Sequence, residues 1–254
     1  MKICCFSAKS CKVYLSLILV AFFLGFMLLS TKSESLYLGY ASRKVPVYGV
    51  ETQEKKVALT FDAAWGADKT SKIVQILKDN GVGGTFFLVG FWAEKYPEKI
   101  KEIYDAGITI GTHSNTHPKM STLTEVQIRS ELKTSCDLIS KVTASPVKYF
   151  RPPYGDYNDT LITTADSMGL QTIQWTVDTL DWKGISANEI LNRIKKDVSN
   201  GSIILMHNNS DYIVEALPLI ISYLKEQGYQ MVNIDELVYS ENYTINNNGI
   251  QIKN

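Results

Sequence analysis

Between Lys55 and Ile234, short apolar runs alternate with segments in which apolar residues recur at helical spacing. The short runs predict buried strands, and the helical spacing predicts amphipathic helices between them. The predicted strands occupy residues 57–61, 85–89, 108–112, 147–150, 170–177, 202–206 and 229–234. Predicted helices occupy 68–80, 158–168 and 213–227, and others begin at Pro97 and at the capping-box pairs Thr122/Glu125 and Ser186/Glu189.

Glycine stands at the junction between a predicted helix and the next strand at positions 81, 107, 169, 201 and 228. The left-handed residue that ends a helix favours glycine, so these positions support the assigned boundaries. Alternating strands and helices indicate an α/β fold with a parallel sheet covered by helices. We therefore predict a distorted (β/α)7-8 barrel over residues 55–240. An open doubly wound sheet is the alternative, but no glycine-rich phosphate loop follows the first strand.

The N-terminal region differs in character from the rest of the chain. Residues 13–30 carry no charge, and Lys2, Lys9 and Lys12 precede them. This pattern predicts a single transmembrane helix at 13–30, with residues 1–12 cytoplasmic and the following domain extracytoplasmic. A cleaved signal peptide is the alternative. We interpret residues 31–54 as a linker and the Asn-rich residues 241–254 as a frayed C-terminal tail.

Composition narrows the possible partners. The 26 Lys and Arg residues balance 26 Asp and Glu residues, so the chain lacks the basic excess of a nucleic-acid-binding protein. Its four cysteines define no disulfide framework, because three precede the apolar segment and Cys136 stands alone. We therefore expect no nucleic-acid partner. The expected membrane partner follows from the apolar segment 13–30.

Ionisable residues follow several predicted strands directly. Asp62, His113, Arg151 and His207 each end an apolar run, and Asp178 with Asp181 follows another, in a fold type whose chemistry lies at the carboxyl ends of its strands. His113 and His117 are four residues apart and can face one cation, with zinc as the expected ion. His207 is the chain's third and last histidine. We expect these groups to share one pocket.

Five segments together resemble the motifs of the polysaccharide deacetylase family, which is carbohydrate esterase family 4 with the NodB homology domain. The resemblance covers residues 55–240 and keeps the family's motif order. The segments are Thr60–Asp62, His113–His117, Arg151–Gly155, Asp178–Trp182 and Leu205–His207. The single N-terminal apolar segment and the variant Phe61-Asp62-x-x-Trp65-Gly66 are most similar to the sporulation-associated, PdaB-like branch.

The resemblance implies metal-assisted removal of N-acetyl groups from amino sugars of peptidoglycan or related cell-wall glycans. It implies that Asp62 is the general base and His207 the general acid, and that His113 and His117 bind a divalent metal. The resemblance also implies supporting roles. The Tyr154 backbone amide helps hold the oxyanion, Asp181 adjusts the pKa of His207, and Trp182 and Leu205 shape the pocket for the acetyl methyl group. Arg151 holds the side of the site and positions Asp62.

One position departs from the family pattern. The family's first motif has a second aspartate that binds the metal, and this chain has Ala63 followed by Ala64. A catalytic zinc normally keeps three protein ligands, so the loss weakens the expected site. In one interpretation, water or another side chain such as Asp68 or Asp62 completes the coordination shell of the metal. In another, the metal binds only together with the substrate. The remaining alternatives are a glycan-binding or structural protein on the same fold, and a metal-dependent hydrolase of non-sugar amides.

Overall fold

The computed structural model describes residues 15–27 and 43–254. The chain divides into two units, residues 1–43 and 44–254. In the first unit, residues 15–27 form a helix, α1. No helix within the described ranges has both the length and the apolar character needed to cross a membrane. The predicted anchor at 13–30 extends past α1 at both ends, and the predicted cytoplasmic segment and residues 31–42 of the predicted linker lie outside the described residues.

The second unit contains short strands separated by helices. Its strands are β1 (Gly49–Val50), β2 (Lys56–Ala63), β3 (Thr85–Leu88), β4 (Thr109–Thr112), β5 (Tyr149–Phe150), β6 (Gln171–Thr172), β7 (Val177–Asp178), β8 (Ile203–His207), β9 (Gln230–Val232), β10 (Tyr243–Ile245) and β11 (Ile250–Lys253). Its helices are α2 (Thr70–Asn80), α3 (Gly90–Lys95), α4 (Pro97–Asp105), α5 (Glu125–Thr143), α6 (Asp159–Ser167), α7 (Ala187–Asp197), α8 (Ile213–Glu226) and α9 (Ile234–Leu237).

The main sheet is parallel and has the strand order β6-β5-β4-β3-β2-β8-β7, with β9 paired to the beginning of β2. Strands β6 and β7 stand at opposite ends of this order, yet only residues 173–176 join them. So short a connection requires the sheet to curl until its two ends approach each other. The predicted α/β fold with a parallel sheet is therefore confirmed, and the predicted distorted (β/α)7-8 barrel takes the form of a curled, incompletely closed half-barrel.

The predicted single strand at 170–177 is wrong, because the chain leaves one end of the curled sheet and joins the other within this run. An N-terminal segment fills part of the gap between those ends. The Val47 amide donates to the Thr172 carbonyl at 2.9 Å, and the Val47 carbonyl accepts from the Gln174 amide at 2.7 Å. Val47 is buried, so part of the predicted linker at 31–54 belongs to the fold.

Every residue of β2 after Lys56 is buried, and successive side chains face opposite sides of the sheet, so the core lies on both faces. Leu59 and Phe61 belong to the large apolar cluster that includes residues of the surrounding helices, and Phe61 stacks on Phe86 with ring centroids 4.9 Å apart. Ala58 instead packs with Phe87 and other residues of a second cluster. The remaining residues of β2 on the Ala58 side are polar, and they lead to the site described below.

Two helix starts show how closely capping chemistry sets the boundaries. The predicted box at Ser186 and Glu189 is confirmed at the start of α7. The predicted box at Thr122 and Glu125 is wrong, since α5 is capped two residues later by Thr124, whose side chain accepts from the Gln127 amide. A Thr-x-x-Gln box satisfies the same two backbone donors as a Thr-x-x-Glu box. Capping chemistry therefore allowed the helix to start at either threonine.

The C-terminal residues 241–254 are also part of the fold rather than a frayed tail. β11 pairs in parallel with β1 and antiparallel with β10. Gln251 is fully buried, and its side-chain amide accepts from the Tyr239 backbone N–H at 2.9 Å and donates to the Tyr239 carbonyl at 3.0 Å. The strands escaped detection because each is only three or four residues long.

Replacing Gln251 with Ala is expected to destabilise the protein by about 1–3 kcal/mol, because the Tyr239 amide loses its acceptor and the Tyr239 carbonyl keeps only its bond from Gln171 Nε2. Urea denaturation of the full-length protein measures this change. The exposed Gln230 provides the control, and Gln230→Ala is expected to shift the free energy of unfolding by less than about 0.5 kcal/mol. Equal small effects at both positions would show that the C-terminal strands do not contribute to stability.

Candidate active site

The site lies at the carboxyl ends of the parallel strands. Asp62 and His207 are paired neighbours on β2 and β8, His113 directly follows β4, and Arg151 directly follows β5. They surround a cleft of about 520 Å³. Seven of the nine predicted site residues line it, namely Asp62, His113, His117, Tyr154, Trp182, Leu205 and His207. The other two, Arg151 and Asp181, are buried and contact lining residues.

A buried ion pair joins Asp62 to Arg151. The guanidinium is fully buried, and its Nη1 donates to Asp62 Oδ1 at 2.8 Å and to Thr60 Oγ1 at 2.9 Å. Its Nη2 donates to the Gln174 carbonyl at 3.0 Å. Its Cζ lies 4.2 Å from the centre of the Phe87 ring. All five N–H groups of arginine lie in one rigid plane, so these contacts fix the guanidinium and hence the Asp62 carboxylate.

The charge on Asp62 reflects two opposing effects. Burial raises the pKa of this carboxyl, but the positive charge of Arg151 and its hydrogen bond, together with the neighbouring imidazoles, lower the pKa further than burial raises it. The net pKa of Asp62 lies below its ordinary value, so the carboxylate is ionised at neutral pH. A charged carboxylate that is shielded from water is suited to accept a proton.

The tautomer of His113 follows from its backbone contact. Its Nδ1 lies 2.7 Å from the Arg151 carbonyl, and a carbonyl can only accept, so Nδ1 carries the proton. Its Nε2 lone pair then faces Asp62 Oδ2, 3.5 Å away. Burial lowers the pKa of His113 despite the opposing charge of Asp62. A neutral imidazole whose far nitrogen donates to a carbonyl has the arrangement usual in metal-binding histidines.

His117 is packed among aromatic rings. Its ring centroid lies 5.0 Å from that of His113, 5.1 Å from that of Trp65 and 4.6 Å from that of Tyr154. Burial lowers the pKa of His117 to about 4, so this imidazole is neutral at pH 7. Its Nδ1 is buried and has no hydrogen-bond partner. An unsatisfied buried nitrogen is costly unless a ligand completes it.

The loop between the two histidines is held by a residue to which the sequence assigned no role. The Glu131 carboxylate on α5 accepts from the backbone amides of Asn115 and Thr116, both at 2.8 Å, and from the Thr116 hydroxyl at 2.7 Å. The Gly90 amide donates to the Ser114 carbonyl at 2.9 Å. No local pattern marks Glu131, because its partners are backbone groups of a loop that precedes α5.

Asp181 orients His207 and raises its pKa. The buried Asp181 carboxylate lies 2.8 Å from His207 Nδ1 and also accepts from the His207 backbone amide at 2.8 Å. Burial by itself lowers the pKa of His207, but the hydrogen bond to Asp181 and its charge outweigh that effect, and the Asp62 charge adds to them. The net pKa of His207 is raised, so the imidazole keeps its proton at higher pH and is suited to donate it.

The backbone around the cleft is strained. Ser114, His117, Tyr154 and Leu180 have φ between 53° and 68°, the left-handed region that favours glycine. Each such residue costs of order 1–3 kcal/mol, and strain of this kind concentrates at functional sites. Tyr154 and Trp182 both expose more than half of their side-chain surface on the rim, whereas Leu205 is almost fully buried beneath them.

In the described part of the chain, the site offers a metal two imidazoles, and of the two carboxylates considered as a further ligand only Asp62 lines the cleft. Ala63 is fully buried at the end of β2, Ala64 lines the cleft, and Asp68 does not reach it. Within residues 15–27 and 43–254, no group of three His, Cys, Asp or Glu side chains has the geometry of a metal site. The proton on His113 Nδ1 and the unpartnered nitrogen of His117 fit a divalent cation whose further ligands are water or substrate.

Comparison with known proteins agrees with this geometry. The polysaccharide deacetylase family model matches residues 49–173. The peptidoglycan-N-acetylglucosamine deacetylase of Bacillus cereus is 35% identical over 186 residues, which cover 72% of this chain and 68% of the relative. The peptidoglycan-N-acetylmuramic acid deacetylase PdaA of Bacillus subtilis is 33% identical over 214 residues, which cover 83% of this chain and 77% of the relative.

Among solved structures, a CE4 family pseudoenzyme from Bacillus anthracis is 37% identical with a TM-score of 0.74, covering 82% of this chain and 70% of that chain. A mutant of that pseudoenzyme, described as having restored enzymatic activity, is 38% identical with a TM-score of 0.74 and covers 82% of this chain and 73% of its own. The sequence matches, the curled parallel sheet and the arrangement of the five motifs around one cleft show that the chain belongs to the polysaccharide deacetylase family.

Proposed function

We propose that the protein hydrolyses N-acetyl groups of amino sugars in peptidoglycan or a related cell-wall glycan. The observation that carries this proposal is a buried carboxylate with a lowered pKa beside an imidazole with a raised pKa in one cleft. Asp62 and His207 are neighbours on adjacent strands, yet Arg151 lowers the pKa of the first and Asp181 raises the pKa of the second. Opposed shifts of this kind are how a site divides base and acid roles.

The proposed reaction uses these two groups in sequence. Asp62 takes a proton from water while the water oxygen attacks the acetyl carbonyl carbon, and the Tyr154 backbone amide donates to the oxyanion that forms. His207 then gives its proton to the amide nitrogen as the C–N bond breaks. The products are acetate and a free amino sugar. Proton return from Asp62 to His207 through solvent restores the starting state.

The two imidazoles are the proposed ligands of a divalent cation, which we take to be zinc. When bound, such an ion polarises a carbonyl oxygen and lowers the pKa of water. His113 and His117 are suited to hold it because both are neutral at pH 7. With only two protein ligands, the affinity is expected to be lower than that of a site with three.

A second candidate function is glycan binding without turnover. Two observations favour it: Ala63 replaces the family's metal-binding aspartate, and a structural relative is described as a pseudoenzyme. The charged pair Asp62 and His207 favours hydrolysis, since binding alone requires neither a base nor an acid.

Acetate release from peptidoglycan and from N-acetylglucosamine oligomers tests the proposal. The full-length protein is expected to release acetate, to do so faster with added Zn²⁺, and to lose at least about 100-fold of its rate in His207→Ala, because the leaving amine then lacks its acid. Added Zn²⁺ is expected to give no increase in the rate of acetate release by His117→Ala. No release with any divalent metal, or equal rates for His207→Ala and the unaltered protein, would refute hydrolysis and leave glycan binding.

The pH dependence of the rate tests the role of Asp181. His207 must be protonated to act, and its raised pKa keeps it protonated as pH rises. Asp181→Asn removes the negative charge that raises this pKa. The alkaline limb of kcat/KM is therefore expected to move to lower pH. Asp178→Asn removes a weaker contribution, so a smaller shift in the same direction is expected. An unmoved alkaline limb in Asp181→Asn would exclude His207 as the acid.

We further propose that the protein is a single-pass membrane protein with its catalytic domain outside the cytoplasm, acting during sporulation. The uncharged segment 13–30, the lysines before it, and the PdaB-like form of the first motif support this proposal. Immunodetection in membrane and soluble fractions of growing and sporulating cells tests it. Recovery in the soluble fraction would contradict anchoring, and equal abundance in both cell states would contradict the link to sporulation.

A further inference from the structure

Two aromatic side chains at the rim of the cleft are exposed although they are large and apolar. Trp65 exposes 59% of its surface and Phe91 exposes 38%. Their ring centroids lie 6.3 Å apart with an interplanar angle of 47°. Scattered exposed apolar residues are ordinary, but adjacent exposed aromatic rings beside a cleft are typical of a binding surface. We call Trp65 and Phe91 the rim pair.

The backbone that carries Trp65 is fixed from beneath. The carbonyl of the next residue, Gly66, accepts from the indole N–H of the buried Trp92 at 2.7 Å and from the Asn208 side-chain amide at 2.9 Å. Gly66 has φ of 64°, which a glycine adopts without strain. Lys69 further ties this loop to the segment after His207 through the Ser210 carbonyl at 2.8 Å. The Trp65 indole therefore stands exposed on an ordered loop, which lowers the entropic cost of binding.

The rim pair is continuous with the catalytic cleft. Trp65 lines the cleft together with Asp62, and its ring stands edge-on to the His117 ring at 5.1 Å. Phe91 lies beside Trp65 without lining the cleft, and its backbone amide donates to the Asn115 carbonyl at 3.2 Å in the loop between the two histidines. A ligand that occupies the cleft and continues outward over Trp65 therefore meets Phe91 next.

The chemistry of this surface selects a neutral ligand with an apolar face. No lysine or arginine is among the described residues that line the cleft, and the rim pair itself is uncharged, so it offers no cationic side chain to a phosphate or another anion. Aromatic rings offer a flat apolar face. A pyranose ring of an N-acetylated glycan is uncharged and presents C–H bonds on its faces, which makes it a matching partner.

We propose that the rim pair binds the sugar unit adjoining the one whose N-acetyl group lies in the cleft, with Trp65 as the principal contact. Trp65 is thus a residue that determines specificity for glycan chains over single sugars. This assignment rests on the proposed function only in its choice of a glycan as ligand, because binding to the rim pair does not require turnover.

Equilibrium binding of N-acetylglucosamine and its tetramer to the full-length protein tests the assignment. Isothermal titration calorimetry is performed in a His207→Ala background, so that the ligand is not consumed. Trp65→Ala is expected to raise the Kd for the tetramer about tenfold, equivalent to about 1.4 kcal/mol, and to change that for the monomer by less than about twofold. Trp65→Phe, which keeps an aromatic ring, is expected to recover most of the tetramer affinity.

Tyr104→Ala is the matched control, since Tyr104 is an exposed aromatic residue that does not line the cleft. It is expected to bind the tetramer as the background protein does. Equal tetramer affinity in Trp65→Ala and the background, or an equal loss for monomer and tetramer, would overturn the assignment. Acetate release by the unaltered protein is measured separately. Hydrolysis without a role for the rim pair, and glycan binding by the rim pair without hydrolysis, can therefore be told apart.

Discussion

The Asp62–Arg151 ion pair is the interaction on which the rest of the site depends. A buried charge costs several kcal/mol unless a partner compensates it, and here each group is the other's partner. Arg151 also reaches the Gln174 carbonyl between β6 and β7 and offers its own carbonyl to His113 Nδ1. The Arg151 side chain therefore ties β2 to the segment that joins the two ends of the sheet and keeps the proposed base ionised, while the Arg151 backbone carbonyl sets the tautomer of a proposed metal ligand.

The Asp181–His207 pair gives the opposite result by similar means. At Asp62 a buried cation lowers the pKa of a carboxyl, and at His207 a buried carboxylate raises the pKa of an imidazole. Both proposed proton-transfer groups thus contact residues that lie deeper in the fold. The departure from the family pattern falls instead on the third metal ligand, at Ala63. The chain thus keeps the proposed acid and base, and it has alanine where the family pattern has the second aspartate.

Much of the site could be predicted because polar residues that directly follow apolar strands converge in a parallel sheet. Asp62, His113 and His207 were found in this way. Glu131 was not, because it acts on backbone amides of a distant loop and has no motif of its own. The division of 170–177 between two strands depends on closure of the sheet, which no local pattern encodes. Trp65 was visible as a motif variant, but only its exposure indicates a role.

A double-mutant cycle on unfolding free energy tests the central claim most directly. Arg151→Met is expected to destabilise the full-length protein by about 3–5 kcal/mol, since the Asp62 charge is left buried and unpaired. Adding Asp62→Asn removes that charge, so the double variant is expected to be more stable than Arg151→Met alone. Strictly additive losses for Asp62→Asn and Arg151→Met would show that the two groups do not stabilise each other, and would contradict the account.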